Sequence, residues 1–255
     1  MPSDLNVSVA DRVAIVEMCR GPANHFDEDL IRRVAEAIEE VQQDRSARAV
    51  VLCSSGKHFC AGADFGASSV RDDRERAAAA LYQEGVRLLD AKLPIVAAVQ
   101  GAAVGGGFGL ACMADFRVAS QATRFHANFS ALGFHHGFGL TATLPRIVGP
   151  QRAADLLLTA RRIDGAEAFR LGLVDRLAEA GSERAAALAL GAELAARAPL
   201  AVESIRQTLR GSLAEEVRSV LERELDEQRR LWRTRDSEAG INASLARTIP
   251  DFVGE

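Results

Sequence analysis

Two glycine-rich segments hold the residues of this chain best suited to chemistry: His58-Phe59-Cys60-Ala61-Gly62-Ala63-Asp64-Phe65, and further on Gly101-Ala102-Ala103-Val104-Gly105-Gly106-Gly107-Phe108-Gly109. Each follows a short apolar run that reads as a strand, Ala49–Cys53 before the first and Pro94–Val99 before the second. Glycine lets a backbone approach a ligand closely or adopt φ > 0, so two such turns suggest N–H groups pointed at one oxygen. A pair of donors of that kind holds an enolate or a tetrahedral oxyanion. If Gly106 opens a short helix, free N–H groups and a positive dipole end add to the effect.

The elements that must position these turns follow from apolar spacing. Val7–Val9 and Val13–Met18 read as paired strands around an Asp11-Arg12 turn. Asp27 can cap a helix to about Gln43, with Leu30, Ile31, Val34, Ala37, Ile38 and Val41 at helical spacing. Arg71–Ala91 reads as a second helix, and Phe116–Ala119 and Thr123–Phe125 as short strands. After Gly137 the pattern stays helical: Leu140–Val148, Gln151–Thr159, Gly165–Leu171, Ser182–Ala198, Pro199 to Arg210, Leu213–Arg233 and Ser237 to Arg247. Strands joined by helices at the front, with a helical tail, define an α/β chain with crossover connections. Gly66–Val70 and the charged stretch Arg71–Glu75 are read as the most mobile region.

Composition narrows the classes. The chain has 255 residues, 48% hydrophobic and 26% charged, ordinary for a soluble globular protein of one elaborated domain or one plus a small appendage. Its net charge of -4 gives no reason to expect nucleic acid or an anionic membrane as partner. No secretion signal or membrane span is visible, so a cytoplasmic location is expected. Cys19, Cys53, Cys60 and Cys112 are scattered without a CxxC or Cys/His cluster, so neither zinc nor a disulfide framework is expected. The glycine spacing is not the GxGxxG of a dinucleotide turn.

With these residues in hand, the chain resembles the crotonase superfamily, the enoyl-CoA hydratase/isomerase group. The resemblance rests on Arg20-Gly21-Pro22-Ala23-Asn24, the segment 58–65, Pro94 through Asp115, Leu144-Pro145-Arg146-Ile147-Val148-Gly149, Ala168 to Val174, and Asp236 to Phe252. It implies a spiral core of ββα repeats over 1–195 and a helical region over 196–255 used in trimer assembly, with trimers that often pair into hexamers. It implies a coenzyme A thioester as substrate, with no permanently bound cofactor. Its carbonyl oxygen would be held by the backbone N–H groups of Ala63 and Gly106. The CoA portion would lie along Ala61, Gly62, Ala63, Asp64 and Phe65 and near Ala23, with Arg247 approaching the CoA phosphates.

The pattern breaks at the proton-transfer groups. Hydratases of this family add water with two glutamates, and the matching positions here are Gly109 and Phe129. A shifted alignment does not restore the pair, because no Asp or Glu lies between Asp115 and Asp155. Two-glutamate hydration is therefore not expected, whereas isomerisation, decarboxylation and hydrolysis all fit one oxyanion pocket. The candidate acid or base is His136 or His135, in the loop that borders the acyl pocket in relatives. A helix starting near Gly137 would keep a nearby imidazole neutral and able to act near pH 7. His126 and Asn128 lie close to the same wall, and Phe129, Phe134 and Phe138 are read as acyl-pocket lining. His25, Asp64 and Asp115 are read as capping or structural residues, and Tyr82 and Trp232 as packing. The alternatives are a hydratase using a non-standard base or, with no proton-transfer group, an acyl-CoA-binding protein without catalysis.

Overall fold

The computed structural model describes residues 4–43, 45–64 and 74–255. Phe65 and residues 66–73, which include most of the stretch read as mobile, lie outside the described residues. The described strands form two sheets. The larger runs β1 (Leu5–Ala10), β2 (Val13–Met18), β3 (Ala49–Ser54), β4 (Ile95–Val99), β6 (Phe116–Ser120) and β9 (Arg176–Ala178), with β1 antiparallel to β2 and every other pair parallel. The smaller sheet has β5 (Ala102–Val104), β7 (Arg124–His126) and β8 (Ile163–Asp164) in that order. From β4 to β7 consecutive strands alternate between the sheets. β4 is followed by β5 and helix α3 (Gly106–Met113), and β6 by β7. This alternation produces the ββα repeat that the resemblance implied.

Both faces of the larger sheet are covered at its centre, so the central strands β3 and β4 are almost wholly apolar. All six residues of β3 and all five of β4 are buried. Val50 and Leu52 face a core shared with α1 (Glu28–Gln43) and α2 (Arg74–Asp90), while Val51 and Cys53 face α7 (Glu183–Ala195). The period of two along the strand thus serves two separate apolar layers. Among the described residues no single helix is long and apolar enough to cross a membrane.

Three short strands were not foreseen. β5 lies inside the segment read as a glycine turn, and β8 and β9 have only two and three residues. Such lengths carry no local periodicity, and partners distant in sequence decide them. A second difference lies in the tail, after α4 (Leu140–Val148), α5 (Pro150–Thr159) and α6 (Gly165–Arg170). Two helices were expected across 199–233, but Pro199–Leu231 is one 33-residue helix, α8, followed by α9 (Arg235–Ala246). The expected gap between Arg210 and Leu213 contains Gly211, which sits in open surroundings, and packing of the next turns carries the helix through. Leu213, Val217, Leu221, Glu224 and Gln228 form the buried stripe of that second half.

The first half of α8 is fastened by charge instead. Arg206 Nε donates to Asp115 Oδ2 at 2.8 Å and Arg210 Nε lies 3.2 Å from Asp115 Oδ1, while the same carboxylate accepts from Ile95 N at 2.8 Å. Arg206 and Asp115 are 6% and 10% exposed. Burial also pulls the Arg210 guanidinium down to about 10. Removing one member of a buried pair leaves an uncompensated charge, so Asp115→Ala should lose about 3–5 kcal/mol of stability. The urea midpoint of the variant checks this. A shift equivalent to less than about 1 kcal/mol would show that the pair behaves as an exposed one.

Candidate active site

The site begins where β3 ends. Ser54 Oγ donates to the Phe59 carbonyl at 2.6 Å, and Phe59 N donates to Gln100 O at 2.9 Å. Cys60 then pairs with Ala103 of β5 in a parallel bridge, with Cys60 N to Ala102 O at 3.2 Å and Val104 N to Cys60 O at 3.0 Å. The two glycine-rich segments are therefore one piece of sheet before they turn away. Gly62 makes the first turn at φ 81, where a Cβ would lie 2.8 Å from the Val104 carbonyl and 3.2 Å from the Gly106 nitrogen. Only glycine fits there. Beyond the second turn, α3 opens at Gly106, and Phe108 N and Gly109 N both return to the Gly105 carbonyl. Neither Ala63 N–H nor Gly106 N–H donates to an acceptor of the described chain.

Ala63 and Gly106 share the wall of a cavity of about 330 Å³ with Ala61, Gly62 and Asp64. The rest of the wall is strongly aromatic. Phe26, Phe129, Phe134 and Phe138 line it, together with the single Tyr (Tyr82) and single Trp (Trp232) of the chain. Phe26 stacks on Phe138 at 5.3 Å, and Phe134 meets Trp232 edge-on at 5.9 Å. A largely aromatic cavity whose wall holds two backbone donors with no acceptor among the described residues suits a ligand with one polar atom to fix and an apolar body to enclose.

Gly109 and Phe129, the positions expected to match the glutamate pair, both stand close to the aromatic wall. Phe129 is 7% exposed on the cavity wall. At Gly109 a Cβ would stand 2.9 Å from Phe138 Cβ and 3.0 Å from its ring. Phe138 occupies that space with φ 59, a left-handed conformation that costs a side-chain-bearing residue on the order of 1–2 kcal/mol. Gly85 on α2 makes room for the far edge of the same ring, where a Cβ would meet Phe138 Cζ at 2.6 Å.

The two histidines read as acid or base do not line this cavity. Their rings stack at 4.1 Å behind Phe129, whose ring centre is 6.4 Å from that of His136. His135 Nδ1 donates to the His136 carbonyl at 2.7 Å. His136 Nε2 is 2.8 Å from Thr141 Oγ1, and the Thr141 hydroxyl in turn reaches Glu224. That chain of bonds sets the Nε2–H tautomer. Burial, reinforced by His135, pulls His136 down to about 3, so it is neutral as expected; burial rather than a helix dipole is the cause. Glu224 is fully buried and accepts from Gly139 N at 2.8 Å and Thr141 N at 2.9 Å. Its carboxyl is pushed up by burial against the pull of those bonds.

Other expected residues fall as follows. Ala23 holds the first turn through its carbonyl, which accepts from Ala61 N at 3.0 Å, but it does not line the cavity. Arg247 ends α9 in an exposed position two residues beyond Leu245, which does line it. His126 Nε2 donates to the Ala160 carbonyl at 2.8 Å, away from the wall. Asn128 is on the wall. Three residues assigned lesser roles belong to the cavity as well. His25 Nδ1 donates to the Gly62 carbonyl at 3.1 Å, Tyr82 OH donates to Gln228 Oε1 at 2.7 Å, and Trp232 closes one side. Gln228 was not singled out at all. It lies 146 residues from Tyr82, and only the spacing of the buried stripe along its helix could have marked it.

With this geometry in place, the comparisons are direct. The enoyl-CoA hydratase/isomerase family model matches residues 9–255. A crotonyl-CoA hydratase of Syntrophomonas wolfei is 30% identical over 249 residues, 96% of each chain. The 1,2-epoxyphenylacetyl-CoA isomerase of Escherichia coli is 30% identical over 239 residues, 91% of each. A crystal structure of an enoyl-CoA hydratase/isomerase from Pseudoalteromonas atlantica superposes with a TM-score of 0.86 at 28% identity, covering 98% of this chain and 100% of that one. The chain belongs to the enoyl-CoA hydratase/isomerase family, the crotonase superfamily, and has its fold. It is an enzyme-family member that processes acyl-CoA thioesters.

Two outcomes follow from the packing. Gly109→Ala should destabilise the protein by about 1–3 kcal/mol through overpacking against Phe138, and by less in a Phe138→Ala background. A double-mutant cycle by urea unfolding reads that coupling; simple additivity would show that the ring does not fill the glutamate space. The second outcome concerns pH. With an ordinary histidine value near 6.5 in the unfolded chain and about 3 in the fold, only the unfolded state takes up the His136 proton between those limits. Stability is complete above 6.5 and falls as pH drops, by up to about 2 kcal/mol at pH 5. Glu224, raised rather than lowered, acts in the opposite sense. Subtracting the urea profile of His136→Gln from the wild-type profile isolates the histidine, and a flat difference from pH 7 to 5 would contradict its burial.

Proposed function

We propose that this chain binds a CoA thioester with its carbonyl oxygen between Ala63 N–H and Gly106 N–H, and that it stabilises an enolate or oxyanion there. The reading is supported by one observation above all. Two backbone donors with no acceptor among the described residues are brought to the wall of one aromatic cavity by a shared piece of sheet. Donors fixed in that way need no reorganisation when charge develops, and one such donor is typically worth about 3 kcal/mol in the transition state. The CoA portion would run along Ala61 to Asp64 toward the exposed Arg247, and the chain would assemble as trimers or paired trimers.

Hydration by paired carboxylates is not part of this proposal, since glycine under Phe138 and Phe129 stand at those positions. Isomerase, decarboxylase or hydrolase chemistry remains, each served by charge stabilisation at the same oxygen. We assign His135 and His136 to holding the pocket wall, because Phe129 stands between them and the cavity. The same absence of carboxylates at those positions favours one second reading, an acyl-CoA-binding protein without turnover.

Paired ligands test the proposal. An acyl-CoA should bind about ten-fold or more tightly than its thioether twin, in which the carbonyl oxygen is replaced by hydrogens, because two hydrogen bonds are lost at about 0.5–1.5 kcal/mol each. Equal affinities by titration calorimetry would remove the oxyanion pair from the site. Exchange of the acyl α-protons into deuterated water, followed by NMR, separates the two readings. Exchange marks enolate formation, and binding without exchange or product marks the non-catalytic alternative.

A further inference from the structure

Each donor of the oxyanion pair belongs to a peptide plane, and in a planar trans peptide the N–H and the C=O point in opposite directions. Whatever holds the carbonyl therefore sets the aim of the N–H. The two turns do this differently. The Gly106 N–H shares its peptide with the Gly105 carbonyl, which accepts from Phe108 N at 3.0 Å and Gly109 N at 3.1 Å, both main-chain groups of α3. The Ala63 N–H shares its peptide with the Gly62 carbonyl. That oxygen accepts from Phe26 N at 3.1 Å and from His25 Nδ1 at 3.1 Å. Of the bonds that hold the two carbonyls, the one from His25 alone comes from a side chain.

His25 and Phe26 lie between the turns. A Cβ on Gly106 would stand 2.5 Å from Phe26 Cζ, so the ring abuts the second turn while the main chain of the same residue holds the first. The first turn has little else to stop its peptide from pivoting. Ala61 N is anchored to the Ala23 carbonyl at 3.0 Å, but Gly62 N meets only Cys60 Sγ, at 3.4 Å, and a thiol sulfur is a weak acceptor. Gly62 has no side chain to restrict its torsions. A carbonyl held by one donor can swing about that bond, whereas donors on both lone pairs fix its plane.

Resting on the thioester reading above, we propose that His25 is a positioning residue for the oxyanion pair: its Nδ1–H fixes the Gly62–Ala63 peptide plane and so aims Ala63 N–H at the substrate oxygen. A carbonyl oxygen only accepts, so this bond places a ring proton on Nδ1. The same bond polarises the peptide and makes its N–H the stronger donor. His25 acts through the main chain and need not touch the ligand.

Two measurements on the full chain test this, with butyryl-CoA and its thioether twin as ligands. In the wild type the thioester should bind about ten-fold tighter than the thioether, and its 13C-labelled carbonyl band should lie below that of the free ligand in difference infrared spectra. His25→Ala should cut the affinity ratio to about three-fold and move the band part of the way back, with the thioether affinity unchanged. His25→Asn, whose amide nitrogen falls where Nδ1 stands, should restore both. His25→Gln, with its donor one bond further out, should behave as His25→Ala and carries the test if the alanine variant does not fold. A ratio and band unmoved in His25→Ala and His25→Gln would overturn the proposal, as would an equal loss of affinity for both ligands, which would mark a merely structural role. Equal binding of the two ligands by the wild type would instead remove the oxyanion pair itself.

Discussion

The Cα of Gly62 lies against the Gly106 amide so closely that a methyl group would stand 3.2 Å from its nitrogen, while Cys60 and Ala103 are bridged one step earlier in the chain. This contact sets the separation of two turns that belong to different ββα repeats. The bridge aligns them along the strands, and the absence of a side chain lets them close across. A larger residue at position 62 would force the turns apart or rotate one of them, and the donors would no longer share a wall. The strict constraint is thus on backbone shape rather than on a reactive side chain. The flanking residues stay small for the same reason, as Ala61, Ala63 and Gly105 do.

The opposite wall depends on a different kind of fastening. Helix α8 presents Glu224 and Gln228 one turn apart, and both bind main-chain groups of the loop from His135 to Thr141. A buried carboxylate is expensive to desolvate, and three donors from Gly139 and Thr141 offset that cost. The loop carries Phe134 and Phe138 into the cavity, so residues far away in sequence set the shape of the acyl space. His136 extends the same network through Thr141 and fills the space behind Phe129. The long helix therefore does more than terminate the fold. Its second half is part of the pocket, whereas its first half is held by Asp115 at the edge of the sheet.

Much of this was legible from residue spacing. Alternation of buried strands and amphipathic helices exposed the α/β order, and glycine turns after two strands pointed to backbone donors. What was not legible shares a physical origin. β5, β8 and β9 exist because partners distant in sequence pair with them, and three residues carry no period of their own. The continuity of α8 through Gly211 is a matter of packing on either side of a weak residue. The histidine pair stood out by type, yet residue type does not tell which side of a wall a ring faces. His136 is neutral as anticipated, but it points its hydrogen bond to Thr141 and leaves Phe129 to face the cavity. Tyr82 and Gln228 were invisible as a pair, because the bond between them spans 146 residues.

Phe138 shows how closely the pocket is built around the position expected to match one of the two carboxylates, Gly109. The ring lies in a slot shaped by Gly85 on one side and Gly109 on the other, stacked on Phe26 and meeting Tyr82 edge-on at 5.9 Å. Its backbone is held in a left-handed conformation that a bulky residue adopts only when its surroundings over-determine it. Those surroundings are present. Burial of the ring, at 1% exposure, recovers about 2–3 kcal/mol, and Glu224 ties down the residues that follow. A glutamate at position 109 would need the volume the ring occupies, and a charge there would face apolar surfaces on every near side. The pocket near Gly109 is thus fixed by shape, with one aromatic ring seated between two glycines of different helices.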